Sequence, residues 1–504
     1  MSLEQHAIII ILAPLLGALV ISLIGGLHRR VAYLTLVAAL AASFLSTIAT
    51  LRLVAARAAE GPLHYFLGDW QPPYGIELVI DPLNALVLTM VAGISLLVAI
   101  YSKETVRRES PDRLHHYYTL FALLVAGLLG ITATGDIFNL YVLTEIAALA
   151  SYALLASGRG FAYYATFKYI IMGTIGACLY LLGVGYLYIK TGTLNMAEMQ
   201  TFMGRPDLLR SESIRVAFIL IMVGLWIKMA FFPLHGWLPN AYTRTSTTTS
   251  CLVAPLMTKV SVYVMIRVMF GVFTLPYVYH VMGWNRAVVW LASLAIVAGS
   301  IGALAQTNIK RMLTYIIVAE VGYMVGGAWL GNAAGLTGAI YHIVSDGLMT
   351  ACLFMAVGAI TFQTGDSSLE SMRGVFRRMP VTAAIFAVGA LAMIGIPPTC
   401  GFFSKWYLIS GGLAAGHYGF VGALLFSSLV NAVLFFRLFE IGYFAPFTAQ
   451  GEADHHDHDK VVVAEAPLSM LMPMLVTAAM ILMVGLYTSR IVSGLIEYSL
   501  PAGL

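Results

Sequence analysis

The sequence predicts an all-α polytopic membrane protein of about 14 transmembrane helices, with two inverted five-helix repeats and broken helices at the seventh and twelfth spans. Three observations predict it. Of 504 residues, 60% are hydrophobic and 10% charged, where soluble domains carry about 25% charged residues; mean hydropathy is +0.86. Apolar runs long enough to cross a hydrocarbon core follow one another along the chain. Ionisable residues recur inside those runs, near proline breaks, at matching intervals.

Taken in order, the runs between turn signals are 7–27, 31–54, 82–101, 116–133, 136–157, 163–189, 213–231 continuing brokenly to 250, 251–272, 284–305, 313–330, 333–362, 380–412, 415–444 and 467–496. The first has its basic residues after the apolar stretch, so it reads as a span and not as a cleaved leader. The division expected is N-terminal spans in 1–115, five-helix units in 116–272 and 273–445, and a polar loop with a last span in 446–504. Loops carrying Arg29 and Arg30, Lys103 to Arg113, Lys310 and Arg311, and Arg373 to Arg378 fall on one side of an even-numbered bundle. That side should be the cytoplasm, with both termini outside. The loop 190–215, with Lys190, Arg205, Arg210 and Arg215, runs against this pattern.

The net charge of +4 is small and spread over loops, which gives no reason to expect a nucleic-acid partner. Cys178, Cys251, Cys352 and Cys400 lie far apart with no CxxC or Cys/His spacing. They read as buried small hydrophobes, and neither zinc nor an iron–sulfur cluster is indicated. No cofactor is expected. The stretch "GEADHHDHDK" (451–460) has three histidines, yet such a run is more often a solvated loop than a metal site.

An ionised group at the bilayer centre costs roughly 3 kcal/mol on insertion scales, so it must face a bundle interior or a wet cavity. Glu145, Lys168, Lys228, Lys259, Glu320, His342, Asp346 and Lys405 all lie in apolar runs. Each has a plainer reading. Glu145 is also accounted for by neutralising Lys228 or Lys168, Lys168 by snorkelling from a span end, and His342 by a hydrogen-bonded core. Their number argues for a connected string. Proline opens the helix in "FFPLHGWLP", which contains His235, and in "IPPTCGFFSK". Non-helical backbone at membrane depth is tolerated only where protein or water satisfies it, and ion sites form there. Eighty-three residues separate Glu145 from Lys228 and 85 separate Glu320 from Lys405. Each glutamate lies two spans before its broken, lysine-bearing span. Five spans is an odd number, so two copies of the unit would be inverted.

These residues resemble the antiporter-like subunits of complex I and its relatives, over roughly 75–445. "GDIFNLYVLTEIAALASYAL" looks like the family's fifth-span glutamate motif, "KMAFFPLHGWLPNAY" is similar to its broken seventh span and "GIPPTCGFFSKW" to its twelfth. The stretch "RRMPVTAAIFAVGALAMIGIPPTCGFFSKWYL" looks closest to the D-type subunit of Mrp-type sodium/proton antiporters and the equivalent subunits of membrane-bound hydrogenases. The resemblance implies a proton path in which Glu145 pairs with Lys228, Lys259 relays, His342 bridges the halves and Lys405 is terminal. Lys168, His235, Glu320 and Asp346 are further candidates. Two stretches depart from the pattern. Where the family usually has "HxxNHALxK" this chain has "HIVSDGLMT", with Asp346 in place of a histidine and Thr350 in place of a lysine; "TRTSTTTS" replaces an Ala/Pro-rich stretch.

Burial makes an ammonium give up its proton more readily and a nearby carboxylate opposes this, so changing the separation of such a pair loads or releases a proton. The resemblance therefore implies a proton- or cation-translocating subunit of an Mrp-type antiporter in a prokaryotic cell (inner) membrane. Its partners would be other integral membrane subunits, the lipid bilayer, monovalent cations and protons. The same module in a redox-driven complex, with the redox centres in a partner, is the alternative; a non-conducting scaffold is the third. Asp346 lies four residues after His342 and so on the same helix face, which predicts that the two act as one proton-holding pair.

Overall fold

The computed structural model describes residues 5–26, 29–158, 160–446 and 464–504, so the histidine-bearing stretch 451–460 lies outside the described residues. The chain is a helical bundle. Helices α1 (Gln5–Ile24) and α2 (Arg29–Ala56) pair as a hairpin. A small antiparallel sheet follows, β1 (Leu63–Phe66) with β2 (Glu77–Ile80), in which Leu63 faces Ile80 and Phe66 faces Glu77. The all-α reading missed it because each strand is four residues long and gives too short a pattern for its period to be read.

The next helices are α3 (Pro82–Glu109), α4 (Leu114–Ala133), α5 (Ile137–Ala156) and α6 (Ala162–Thr191). Asp81 caps α3 through the Asn84 amide, with Pro82 in the first turn. Asp136 caps α5 by accepting from Phe138 and Asn139. Helix α3 runs eight residues past its apolar stretch because Lys103, Glu104, Arg107 and Arg108, good helix formers, continue it. Two short helices, α7 (Met196–Phe202) and α8 (Pro206–Leu209), lead to α9 (Glu212–Lys228) and α10 (Leu238–Arg244). Then come α11 (Thr247–Gly271), α12 (Asn285–Leu304), α13 (Ile309–Trp329) and α14 (Ala333–Thr364). The remainder is α15 (Val375–Arg378), α16 (Pro380–Ile394), α17 (Cys400–Ala414), α18 (Tyr418–Phe444), α19 (Leu468–Leu486) and α20 (Thr488–Ile491).

Twelve helices among the described residues are long and apolar enough to cross a membrane. Two further segments are interrupted: α9 and α10 are separated by 229–237, and α16 and α17 by 395–399. Both interruptions fall where the prolines predicted them. Helix α14 is the centre, with its apolar window wholly buried; the windows of α1 and α2 are 33% buried, which makes them peripheral. Cys178, expected inside, is exposed on α6, while Cys251, Cys352 and Cys400 are buried. Helix α6 is itself peripheral, so a small apolar residue there can face lipid.

The ends of the helices separate into two faces. Arg108, Arg244, Lys310 and Arg311 line one cavity of about 690 Å³ on the face that carries the basic loops. The opposite face has a cavity of about 480 Å³ lined by His64, Glu77, Asp81 and Arg267. Small residues let helices approach at two places that matter for the site. A Cβ on Gly224 would stand 2.6 Å from the Gly176 carbonyl, so α6 and α9 touch backbone to backbone one turn before Lys228. A Cβ on Gly485 would overlap the Pro398 carbonyl, so α19 rests directly on the second interruption. Gly485→Val should therefore lower the thermal stability of the assembled protein, by the ~1–3 kcal/mol typical of overpacking. An unshifted melting curve would show that α19 does not bear on that interruption.

Candidate functional site

The first interruption positions Lys228. Helix α9 ends on this residue, and Ala230 takes a positive φ of 57° that cannot continue a right-handed helix. Trp237 donates from Nε1 to the Ile227 carbonyl at 3.1 Å, satisfying one of the groups the break frees. The Lys228 ammonium sits at the negative end of α9 and meets Glu145, in the middle of α5, at 2.8 Å. Lys228 is 9% exposed and Glu145 26%. A cavity of about 30 Å³, room for about one water, lies between Lys228, Thr144 and the Met257–Ser261 turn of α11. A smaller one of about 10 Å³ lies between Glu145, Tyr141 and Tyr180.

Helix α11 carries Lys259, which is fully buried. Its ammonium stands 2.9 Å from Asp346 Oδ2 on α14. It also donates to the Ala254 carbonyl at 3.2 Å and to Thr350 Oγ1 at 3.5 Å. Thr350 in turn donates to Asp346 Oδ1 at 2.7 Å. The contact to Oδ2 is an ion pair by distance without the alignment of a hydrogen bond. Asp346 and Thr350, the two replacements in the stretch "HIVSDGLMT", thus meet in one cluster around a single lysine.

This corrects the expected His342–Asp346 pair. The two residues do share a face of α14, but their side chains part toward different neighbours. Asp346 turns to α11. His342 turns to α13 and α17, with Nε2 2.5 Å from Glu320 Oε2 and Nδ1 2.9 Å from Ser404 Oγ. Ser404 has one hydrogen to give, and the Gly401 carbonyl lies 3.0 Å from its Oγ; giving it there leaves His342 Nδ1 as the donor to Ser404. Glu320 is fully buried halfway along α13. Its Oε1 has no hydrogen-bond partner among the described residues.

Lys405 follows the second interruption. Its ammonium donates to the Met393 and Ile394 carbonyls at 2.7 and 3.3 Å and to Ser428 Oγ at 3.1 Å. It therefore caps the end of α16, where Gly395 turns the chain at φ 93°. The Tyr323 ring lies 5.3 Å away. Glu320 is engaged with His342, and among the described residues Lys405 has no counterpart of the Glu145–Lys228 contact.

Two candidates stand apart. Lys168 is exposed on α6 with its ammonium 4.6 Å from the Tyr164 ring centre, the arrangement of a snorkelling lysine. His235 lies in the first interruption, half-buried, stacked on Phe232 at 5.3 Å. Sequence reasoning missed Ser404 and Ser428. Ser404 directly precedes Lys405 in the quoted motif and was within reach; Ser428 sits in an apolar run with no signal around it.

Residues 134–431 match the family described as NADH:quinone oxidoreductase/Mrp antiporter, transmembrane. The N-type subunit of the NADH-quinone oxidoreductase of Desulforudis audaxviator (strain MP104C) is 43% identical over 443 residues, covering 87% of this chain and 88% of that protein. The D-type subunit of the Na(+)/H(+) antiporter of Bacillus subtilis (strain 168) is 33% identical over 438 residues, covering 87% of this chain and 86% of that protein. A chain in the structure of the Mrp complex from Dietzia sp. DQ12-45-1b superposes with a TM-score of 0.88 at 25% identity, covering 99% of this chain and 97% of that one.

Proposed function

The chain belongs to the NADH:quinone oxidoreductase/Mrp antiporter family of membrane subunits, and from that premise we propose that it moves protons along Glu145, Lys228, Lys259, Asp346, His342 and Lys405 within a multisubunit Mrp-type cation/proton antiporter. The observation that carries the reading is a set of separate clusters of ionisable side chains, met in order through the bundle. It runs from Glu145–Lys228, past a water-sized cavity, to Lys259–Asp346–Thr350, then along α14 to His342 with Glu320 and Ser404, and ends at Lys405. A carboxylate stabilises the charged form of a neighbouring ammonium, and burial opposes it. Changing the Glu145–Lys228 separation changes how firmly that proton is held. Asp346 supplies Lys259 with the same kind of control, so the Asp346 and Thr350 replacements favour a conducting chain over a scaffold. Glu320, Lys168 and His235 remain outside the direct series, Glu320 as the partner that holds His342.

We also divide the chain at 115, 272 and 445, with 116–272 and 273–445 as the inverted units. Helices starting at 114, 137, 162 and 247 recur at 285, 309, 333 and 418, an offset of 171 or 172 residues each time. The cap Asp136 bridges to Asn195, just beyond α6, and the cap Asn308 bridges to Ser368, just beyond α14. We place the face with the basic loops in the cytoplasm of a prokaryotic cell, and the partners as other integral membrane subunits, with protons and monovalent cations as cargo.

A second reading has the same relay in a redox-driven complex, and the 43% identity to an NADH-quinone oxidoreductase subunit favours it. The composition of the purified complex separates the two: antiporter subunits alone, or hydrogenase-like and iron–sulfur subunits beside them. In either complex, Glu145→Gln keeps the shape and removes the charge, and should be nearly as damaging to proton movement in inverted vesicles as losing Lys228. Full proton movement with Glu145→Gln would leave the pair a structural one.

A further inference from the structure

On the face with the basic loops, a cavity of about 560 Å³ opens between the start of α2, the end of α3 and the start of α4. Three cations line it, Arg30, Lys103 and Arg107, against one carboxylate, Glu104. Lys103 and Arg107 are one turn apart on α3, so they stand on the same face. None of the three joins an ion pair among the described residues. The remaining wall is aromatic and apolar: Tyr33, whose ring centre lies 6.0 Å from that of Tyr118, with Leu34 and Leu114. Nothing in the proton series reaches this place.

Beyond the cavity, which Leu34 lines, one face of α2 stays exposed. Arg30, Leu34, Ala38, Ala42 and Leu45 are all exposed, three or four residues apart along one face of α2. Leu34 is 62% exposed and Leu45 66%. Two small alanines stand between the two leucines, so by side-chain size this face is a shallow trough. From Leu34 to Leu45 is about 16 Å at 1.5 Å per residue, roughly half of a ~30 Å hydrocarbon core. One leaflet's acyl chain has that length.

We propose that this cavity binds an anionic phospholipid, its phosphate held by Arg30, Lys103 and Arg107 and one acyl chain laid along Leu34, Ala38, Ala42 and Leu45. A free phosphate would use the cations and leave the trough bare; a neutral lipid would use the trough and leave a net positive cavity uncompensated. Basic pockets between helices on the cytoplasmic side are where anionic headgroups are drawn by charge. Tyr33 and Tyr118 line the cavity, and tyrosine is enriched where side chains meet headgroups. The site stands whichever ion the relay moves, so its failure leaves the proposed function untouched.

The test uses the whole membrane complex, purified in mild detergent and placed in nanodiscs of phosphatidylcholine with or without phosphatidylglycerol. Phosphatidylglycerol should raise the melting temperature of the wild type, and native mass spectrometry should find it retained. In Arg30→Gln/Lys103→Gln/Arg107→Gln the shift should vanish and retention should weaken on the order of a hundredfold, with the three cations removed. Ala38→Trp, which fills the trough and keeps the cations, should reduce retention as well. Inorganic phosphate without lipid should not stabilise the protein. Equal stabilisation by phosphate alone, unchanged retention in the triple variant, or a cross-link from Lys103 to another protein of the complex would each overturn the proposal.

Discussion

Lys228→Ala is expected to abolish proton movement in vesicles, a loss of about a hundredfold or more, the lower range of what a positioned proton-transfer group contributes. The reason is local. Lys228 is the only ammonium within ion-pair distance of Glu145 among the described residues, and it closes α9 beside the water-sized cavity that leads to α11. No other side chain among those lining that cavity carries a charge. Assembly should survive, because an alanine is cheaper in a membrane than an ammonium. Lys228→Met with Glu145→Gln serves as the control, since it leaves no unbalanced charge at the pair. Near-normal proton movement by an assembled Lys228→Ala complex would end the relay reading.

Asp346→Asn should have its largest effect on stability. Lys259 and Asp346 are both fully inaccessible. Removing one partner of a buried pair leaves an uncompensated charge, at a cost of about 3–5 kcal/mol. The complex should therefore accumulate poorly or melt at a clearly lower temperature. Replacing both partners by apolar groups, as in Lys259→Met/Asp346→Leu, should recover assembly without recovering proton movement. Transport restored along with assembly would show that the pair braces the bundle and carries nothing. The same single variant separates Asp346 from His342, whose contacts to Glu320 and Ser404 do not pass through it.

Much of this arrangement was legible in the chain. Length and hydropathy mark the long helices, because a membrane imposes one span length on every apolar run. Proline marks the two interruptions, because a missing amide donor acts wherever it occurs. The cost of burial marked Glu145 and Lys228 but left Lys168 as another partner for Glu145; the resemblance of their motifs to a known family implied the pairing. Asp346 could not be placed. A helix presents residues four apart on one face, but which neighbouring helix each side chain turns to depends on packing across more than eighty residues of sequence. Lys259 lies 87 positions before Asp346, and nothing local points from one to the other. The β1–β2 hairpin escaped for a different reason, since four residues give two repeats of a period of two.

The contact of Gly485 with the second interruption has a mechanical sense. Tyr341, the residue before His342, donates from its hydroxyl to the Val484 carbonyl at 2.9 Å and lies 2.7 Å from Thr488 Oγ1. Next to those atoms, Gly485 rests on the backbone at Pro398 and Thr399. The run Leu468–Leu486 contains no titratable side chain. It nevertheless touches, through the adjacent Val484 and Gly485, both the helix that bears His342 and the turn that sets Lys405 in place. A swing of that turn cannot leave α14 undisturbed unless α19 slides with it. The last long helix among the described residues is thus a tie-rod in geometry: it carries no charge itself and joins the helix of His342 to the turn before Lys405.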